Sequence, residues 1–189
     1  MELKKLTKTH NGEFLNSYIA EYKIGNEKNG YDTKLYELVS RDSNLDLTKL
    51  KNTADAVSII ATDESGEKIL LQKEFRLALN RTVYNFPGGL IDPGETAAIT
   101  AKRELKEETG LDLYEINKIL APSAICVGIT NEMIETVYGK AKGSFTASTS
   151  PVEEIEAAWY TKEEVRKLID SGKLMSTRTQ CYLDVWSNS

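Results

Sequence analysis

The chain has 189 residues, 40% of them hydrophobic and 28% charged, with a formal net charge of −5. That length suits one domain with at most a small appendage, and the apolar share is enough for a buried core. The acidic balance argues against general nucleic-acid binding, which needs a basic surface, but leaves room for a small anionic substrate whose charge a metal ion offsets. No apolar run approaches the ~18 residues needed to span a bilayer, and the opening MELKKLTKTHNGEFL has no signal-peptide pattern, so no membrane partner is expected. Cys126 and Cys181 stand apart without CxxC spacing and read as two buried, reduced thiols of a cytoplasmic protein. His10 is the only histidine, in a stretch that reads as mobile. A Ser-His-Asp triad or a multi-histidine zinc site is therefore disfavoured, and proton transfer must rest on carboxylates, lysine or tyrosine.

In chain order, FLNSYIAEYKI (14–24) alternates as a strand, NEKNG (26–30) is turn chemistry, and YDTKLYELVSR (31–41) returns as a second strand. Residues 42–53 are polar and linker-like. The expected organisation is a small N-terminal β-hairpin element over 1–52 and a main domain over 53–189. AVSIIAT, the turn DESGEK and ILLQKEF predict a buried hairpin. A loop around Leu79 and Asn80 leads into VYNFPGGLIDPGE, read as Gly- and Pro-rich loop. Thr96 to Thr109 reads as a helix with a narrow apolar stripe of Ala97, Ala98, Ala101 and Leu105, stopped by Gly110. Strands are expected over 114–127, 133–138 and 155–161, then an amphipathic helix ending at Gly172 and a last helix over 176–186. Residues 142–151 read as a small, polar, mobile loop. Trp159 and Trp186 read as packing residues. The mixture of hairpins and helices predicts an α+β fold with a mixed sheet. No Walker loop or GxGxxG follows a strand.

The stretch that carries chemistry is RELKEETG. At ~100° per residue, Glu104 and Glu108 share one helix face and Glu107 lies beside them. Three carboxylates so placed need compensation, because like charges one turn apart destabilise a helix. Two readings stand: a solvated face interleaved with Lys102 and Lys106, or oxygen ligands for hard divalent cations. The preceding GGLIDPG supplies glycines where backbone must approach closely, and a loop carbonyl there would add an oxygen ligand. Glu95 and Arg103 are spaced to pin loop to helix as an ion pair.

This stretch resembles the Nudix box, G-x5-E-x7-R-E-U-x-E-E-x-G-U with U aliphatic. It matches at Gly89, Glu95, Arg103, Glu104, Leu105, Glu107, Glu108, Gly110 and Leu111. The resemblance implies a Nudix-type α/β/α sandwich and a loop–helix–loop that binds Mg2+ or Mn2+ and hydrolyses a nucleoside diphosphate linked to another group. It implies Glu104 and Glu108 as chief metal ligands with Glu107 assisting, the Gly88 carbonyl as a further ligand, and Gly89, Glu95, Arg103 and Gly110 as structural.

ILLQKEFR is similar to the Q-x-R strand of the ADP-ribose and nucleotide-sugar pyrophosphatases, with Gln72 and Arg76 in a Q-x-x-x-R version. These families carry an N-terminal β element often exchanged within a homodimer, which implies that the element over 1–52 contacts a second copy, and EEIEAAWYTKEEVRKLIDSGKL resembles their C-terminal strand and helix. The implied activity splits ADP-ribose or a related nucleotide sugar into a nucleoside monophosphate and a sugar phosphate. Other readings are hydrolysis of (d)NTPs or dinucleoside polyphosphates, and a non-catalytic sensor. Arg76 is the candidate phosphate grip. Tyr31, Tyr84 and Phe86 are candidates to stack on a base, the other reading of each being a core or interface role. Glu132 is the candidate catalytic base, with Glu135, Glu153 and Glu154 as rivals. Two departures stand out. Asn85 occupies the position before the Pro-Gly-Gly run where these families often have an acidic residue, and APSAICVGITNE replaces their Ser-Pro-Gly segment.

Overall fold

A computed structural model describes residues 1–49, 51–149 and 154–189. They form two compact units, Met1–Asp55 with Pro122–Ile134 and Ala56–Ala121 with Glu135–Ser189.

The first unit is built on an antiparallel sheet, β1 (Glu2–Asn11), β2 (Asn16–Asn26) and β3 (Gly30–Ser40), in that order. The expected hairpin is β2–β3, whose register runs from Asn16↔Ser40 to Asn26↔Gly30. β1 adds a third strand, so the segment that read as mobile is paired, and His10 sits opposite Ser17 within it. Asn16, Tyr18 and Ala20 alternate to one buried face of β2. Tyr18, Ala20 and Leu38 form a small core with Leu3, Leu6, Leu45 and Leu47 packed on it. In the 122–134 segment, β8 (Ser123–Ala124) pairs with Met133 and Ile134. The long strand expected over 114–127 is thus two, β7 (Asp112–Ile119) and β8. Pro122, which has no N–H to give a ladder, lies between them.

The second unit is a sheet of order β10-β5-β4-β9-β7, with β6 beside β5. Its strands are β4 (Ala56–Thr62), β5 (Lys68–Arg76), β6 (Arg81–Asn85), β7, β9 (Met133–Lys142) and β10 (Ile155–Thr161). β6 is a strand where the sequence reads as loop. It pairs with β5 from Gln72↔Asn85 to Arg76↔Arg81.

Period-two alternation gives this sheet two apolar faces. Val57, Ile59, Ala61, Leu70, Val137 and Ala141 meet Ala97, Ala101 and Leu105 of α1 (Ala97–Thr109). Ile60, Ile69, Leu71 and Phe86 meet Val165 of α2 (Lys162–Asp170) and Leu183 of α3 (Thr177–Asn188). Helices therefore cover both faces, which is an α/β/α sandwich. Trp159 packs on the first core and Trp186 on the second.

Local chemistry sets the helix ends. Thr96 caps α1 by accepting from the Ile99 N–H. Thr161 and Glu164 form a reciprocal capping box on α2. Gly110 closes α1 at φ 80°, a left-handed conformation that favours glycine. Cys126 and Cys181 are free and both exposed, against the expectation of burial. No helix among the described residues is long and apolar enough to cross a membrane.

Candidate active site

The site is assembled in the second unit by the loop after β6 and the face of α1. The Val57 N–H donates to the Gly89 carbonyl at 2.9 Å and the Ile59 N–H to the Pro87 carbonyl at 2.8 Å. The loop is thereby stitched to β4 as an extra edge. Among the described residues no hydrogen bond ends on the Gly88 carbonyl, which lies between those two. A Cβ at Gly88 would run into the Val57 carbonyl oxygen, and a Cβ at Gly89 into the Glu104 carboxylate. The two glycines are thus required for different reasons, one by backbone and one by the carboxylate that the helix presents.

Arg103 organises the acidic surface. Its Nε and Nη2 grip Glu95 at 3.0 and 2.8 Å, and Nη2 also donates to the Leu90 carbonyl at 3.1 Å. Its Nη1 donates to Glu104 at 2.8 Å and to Glu107 at 3.3 Å. One guanidinium therefore ties loop to helix and offsets two of the crowded glutamates. Hydrogen bonds from Arg103 and then Thr100 pull the Glu95 carboxyl down to about 2. The same contacts, Glu95 foremost, push Arg103 above its ordinary value, so it stays charged at every relevant pH.

Glu108 is held differently. It is only 7% exposed. It accepts from the Gly88 N–H at 3.1 Å and from Gln72 Nε2 at 3.4 Å. Burial pushes its pKa up to about 8. The Gly88 and Gln72 hydrogen bonds pull the other way, while Glu104 and Glu74 add to the rise.

The donor set suits a hard divalent cation: carboxylate oxygens one turn apart, an unengaged loop carbonyl, and a buried carboxyl that is costly to charge without a cation beside it. Gln72 Oε1, buried without a partner, is a further open acceptor. The carboxyls do not already converge, since no group of three or more acidic, His or Cys side chains among the described residues is gathered for a metal. Arg103 takes up Glu104 and Glu107 in this arrangement.

The other candidates are spread out. Arg76, at the end of β5, is half exposed and ion-paired to Glu74, with Nε 2.6 Å from its carboxylate. Phe86 is 3% exposed and packs edge-on against Tyr182, so its ring is core and is closed to a base. Tyr84 is likewise engaged edge-on with Tyr160. Tyr31 is exposed on β3, with Lys23 Nζ 3.5 Å over its ring. Glu132 belongs to the first unit, where it is largely buried and paired with Arg41 at 3.3 Å. Glu153 and Pro151 lie outside the described residues. The 142–149 segment is tied down: the Thr146 and Thr149 N–H groups donate to the Thr109 and Glu107 carbonyls at the end of α1. The sequence reading missed Glu74 and Asn85 as a joined buried pair. Their hydrogen bond depends on β5–β6 pairing, and β6 read as loop.

A family model described as the NUDIX domain matches residues 52–177. A Bacillus subtilis protein named ADP-ribose pyrophosphatase is 30% identical over 126 residues, 66% of this chain and 67% of that one. A Saccharomyces cerevisiae protein of the same name is 33% identical over 122 residues, 61% of this chain and 51% of that one, so the match spans about half of the yeast relative. The fold is shared with a solved structure described as "Crystal structure of ADP compounds hydrolase", at TM-score 0.75 and 16% identity, covering 100% of this chain and 94% of that one. With the complete box assembled on the loop and α1 and two thirds of its length matched, the chain belongs to the Nudix hydrolase family.

Proposed function

We propose that this protein is a Mg2+- or Mn2+-dependent pyrophosphatase that hydrolyses ADP-ribose or a related nucleoside diphosphate sugar. Water adds to one phosphorus, the bridging P–O bond breaks, and the products are a nucleoside monophosphate and a sugar phosphate. The observation that carries this reading is the α1 face, where Arg103 holds Glu104 and Glu107 and the Gly88 N–H holds Glu108 against the Gly88–Gly89 loop. The similarity to relatives named ADP-ribose pyrophosphatase supports the substrate class.

Glu104, Glu108 and Glu107, with the Gly88 carbonyl, would hold the cation, whose chemistry when bound is to neutralise the diphosphate and lower the pKa of water. The chain's own residues do the rest. Arg103 and Glu95 keep loop and helix in one geometry, so the carboxylates are prearranged. Arg76 offers a guanidinium to an anionic group of the substrate. Glu132 is the group we assign to accept the proton of the attacking water, helped by Glu107. Tyr31 is assigned to the base, and the three-stranded element to contact between two copies in a cytoplasmic homodimer.

A panel of ADP-ribose, GDP-mannose, UDP-glucose, dinucleotides and dNTPs, each with Mg2+, tests this. Preferential turnover of ADP-ribose or another nucleotide sugar is expected. Preference for a dNTP or dinucleotide, or tight ADP-ribose binding without hydrolysis, overturns the substrate assignment.

A further inference from the structure

β5 presents Gln72, Glu74 and Arg76 at alternate positions, so all three share one face of the strand. Gln72 is 1% and Glu74 7% exposed, while Arg76 emerges at the strand's end. Burying a carboxylate is costly unless every lone pair finds a donor. Glu74 has three partners. Its Oε1 accepts from Asn85 Nδ2 at 3.4 Å and forms an ion pair with Arg76 Nε at 2.6 Å, and its Oε2 accepts from Gln72 Nε2 at 3.3 Å.

The two amides are themselves oriented. Asn85 Oδ1 accepts from Thr179 Oγ1 at 2.7 Å and from Ser176 Oγ at 3.1 Å, and Ser176 is the N-cap of α3. Reversing that amide would set its oxygen against the Glu74 carboxylate. The Gln72 NH2 group likewise lies between Glu74 and Glu108. Asn85 is therefore the residue that a buried Glu74 demands, because an acid at 85 would place two carboxylates side by side.

We propose that Glu74 is a positioning residue that aims Arg76 at an anionic group of the substrate, phosphate or ribose-phosphate in class. This rests on the reading of Arg76 as a substrate contact given above. The guanidinium is held beside Glu74 by a close ion pair at Nε, and its terminal nitrogens have no partner among the described residues. A planar fork held in this way loses little freedom when it meets a phosphate. Arg76 is also the only charged group among these three partners of Glu74, so the buried carboxylate and the substrate arm hold each other.

A double-mutant cycle with Mg2+ and ADP-ribose tests this: wild type, Glu74→Gln, Arg76→Ala and the pair, with kcat, KM, melting temperature and Mn2+ affinity read for each. Arg76→Ala is expected to raise KM about tenfold with Mn2+ affinity unchanged, and Glu74→Gln to raise KM by the same factor, with kcat within about twofold for both. The double variant is expected to be no worse than Arg76→Ala alone, because Glu74 acts through the arginine. Glu74→Asp keeps the charge but shortens the reach. It is expected to give an intermediate KM, and it serves if the glutamine variant does not fold. If Arg76→Ala raises KM while Glu74→Gln and Glu74→Asp leave it at the wild-type value, the positioning role is wrong and the Arg76 reading stands. If the effects of Glu74→Gln and Arg76→Ala multiply in the double variant, the role is likewise wrong. If Arg76→Ala leaves KM unchanged, both fall.

Discussion

Adjacent glycines in the loop before α1 should fail in opposite ways when given a single methyl group. A Cβ at Gly88 meets the Val57 carbonyl oxygen, which is main chain in a central strand. Nothing there can rotate away, so the loop must lift off β4, straining the Val57–Gly89 and Ile59–Pro87 hydrogen bonds. Overpacking of this kind costs about 1–3 kcal/mol, and a lost backbone hydrogen bond adds about 1 kcal/mol. For a chain of this size, Gly88→Ala is expected to lower the melting temperature by roughly 5–12 °C. A Cβ at Gly89 instead meets the end of the Glu104 side chain first. That carboxylate can swing aside, so Gly89→Ala should melt within about 2 °C of wild type. The swing, however, removes a proposed cation ligand from its place, and activity should drop about 10- to 100-fold, the range seen when the support of a metal ligand is lost. Differential scanning calorimetry paired with ADP-ribose turnover in Mg2+ separates the two. A Gly89→Ala protein that keeps full activity, or one that unfolds as readily as Gly88→Ala, would refute the placement of Glu104 against the loop.

Glu108→Gln preserves size and the Gly88 hydrogen bond, so we expect turnover to fall at least about 100-fold with the fold intact by circular dichroism; wild-type turnover would remove Glu108 from the metal set. The Glu108 pKa also predicts a pH response of the metal-free protein. Its folded value, about 8, lies above the ordinary 4.5. The stabilising contribution is therefore complete below about 4.5 and is lost as pH rises through 8. Without metal, stability should fall by about 2 kcal/mol between pH 6 and pH 8, and Mg2+ should restore it; chemical denaturation with EDTA that is flat over this range contradicts the burial argument. Arg103→Lys keeps the charge but cannot span Glu95, Leu90, Glu104 and Glu107 together. It should cost about 1–3 kcal/mol in urea denaturation and lower kcat, whereas an unchanged midpoint would show the bridge to be idle.

Much of the second unit was legible because its signals are local. The α1 helix announces itself by a Thr96 cap, an alanine and leucine stripe and a Gly110 stop, and β4, β5, β10 and α2 follow from alternation or periodicity. The box residues are named by spacing alone, so the acidic face was readable. That Arg103, and not Lys102 or Lys106, answers its charge needed coordinates.

The elements that escaped lack such signals. β1 is exposed along most of its length with only Leu3 and Leu6 packed inward, so no alternation marks it. β6 is five residues long and merges into a proline–glycine loop. Phe86 read as a stacking ring because nothing local distinguishes an apolar residue beside a site from one beneath it; only α3 and Tyr182 decide. The sequence does not single out Glu74, and Asn85 reads only as a departure from the family pattern, because their pairing exists only once β5 and β6 are in register.

The central claim is that the Glu104–Glu107–Glu108 face, set against the Gly88 loop, holds divalent cations. The most direct measurement is an anomalous difference map from crystals grown with Mn2+ and a non-hydrolysable ADP-ribose analogue. A Mn2+ peak bonded to carboxylates of Glu104 and Glu108, with the analogue's diphosphate on its far side, is the predicted result. A diphosphate bound with no Mn2+ peak on that face, and Glu104 still on Arg103, would contradict it.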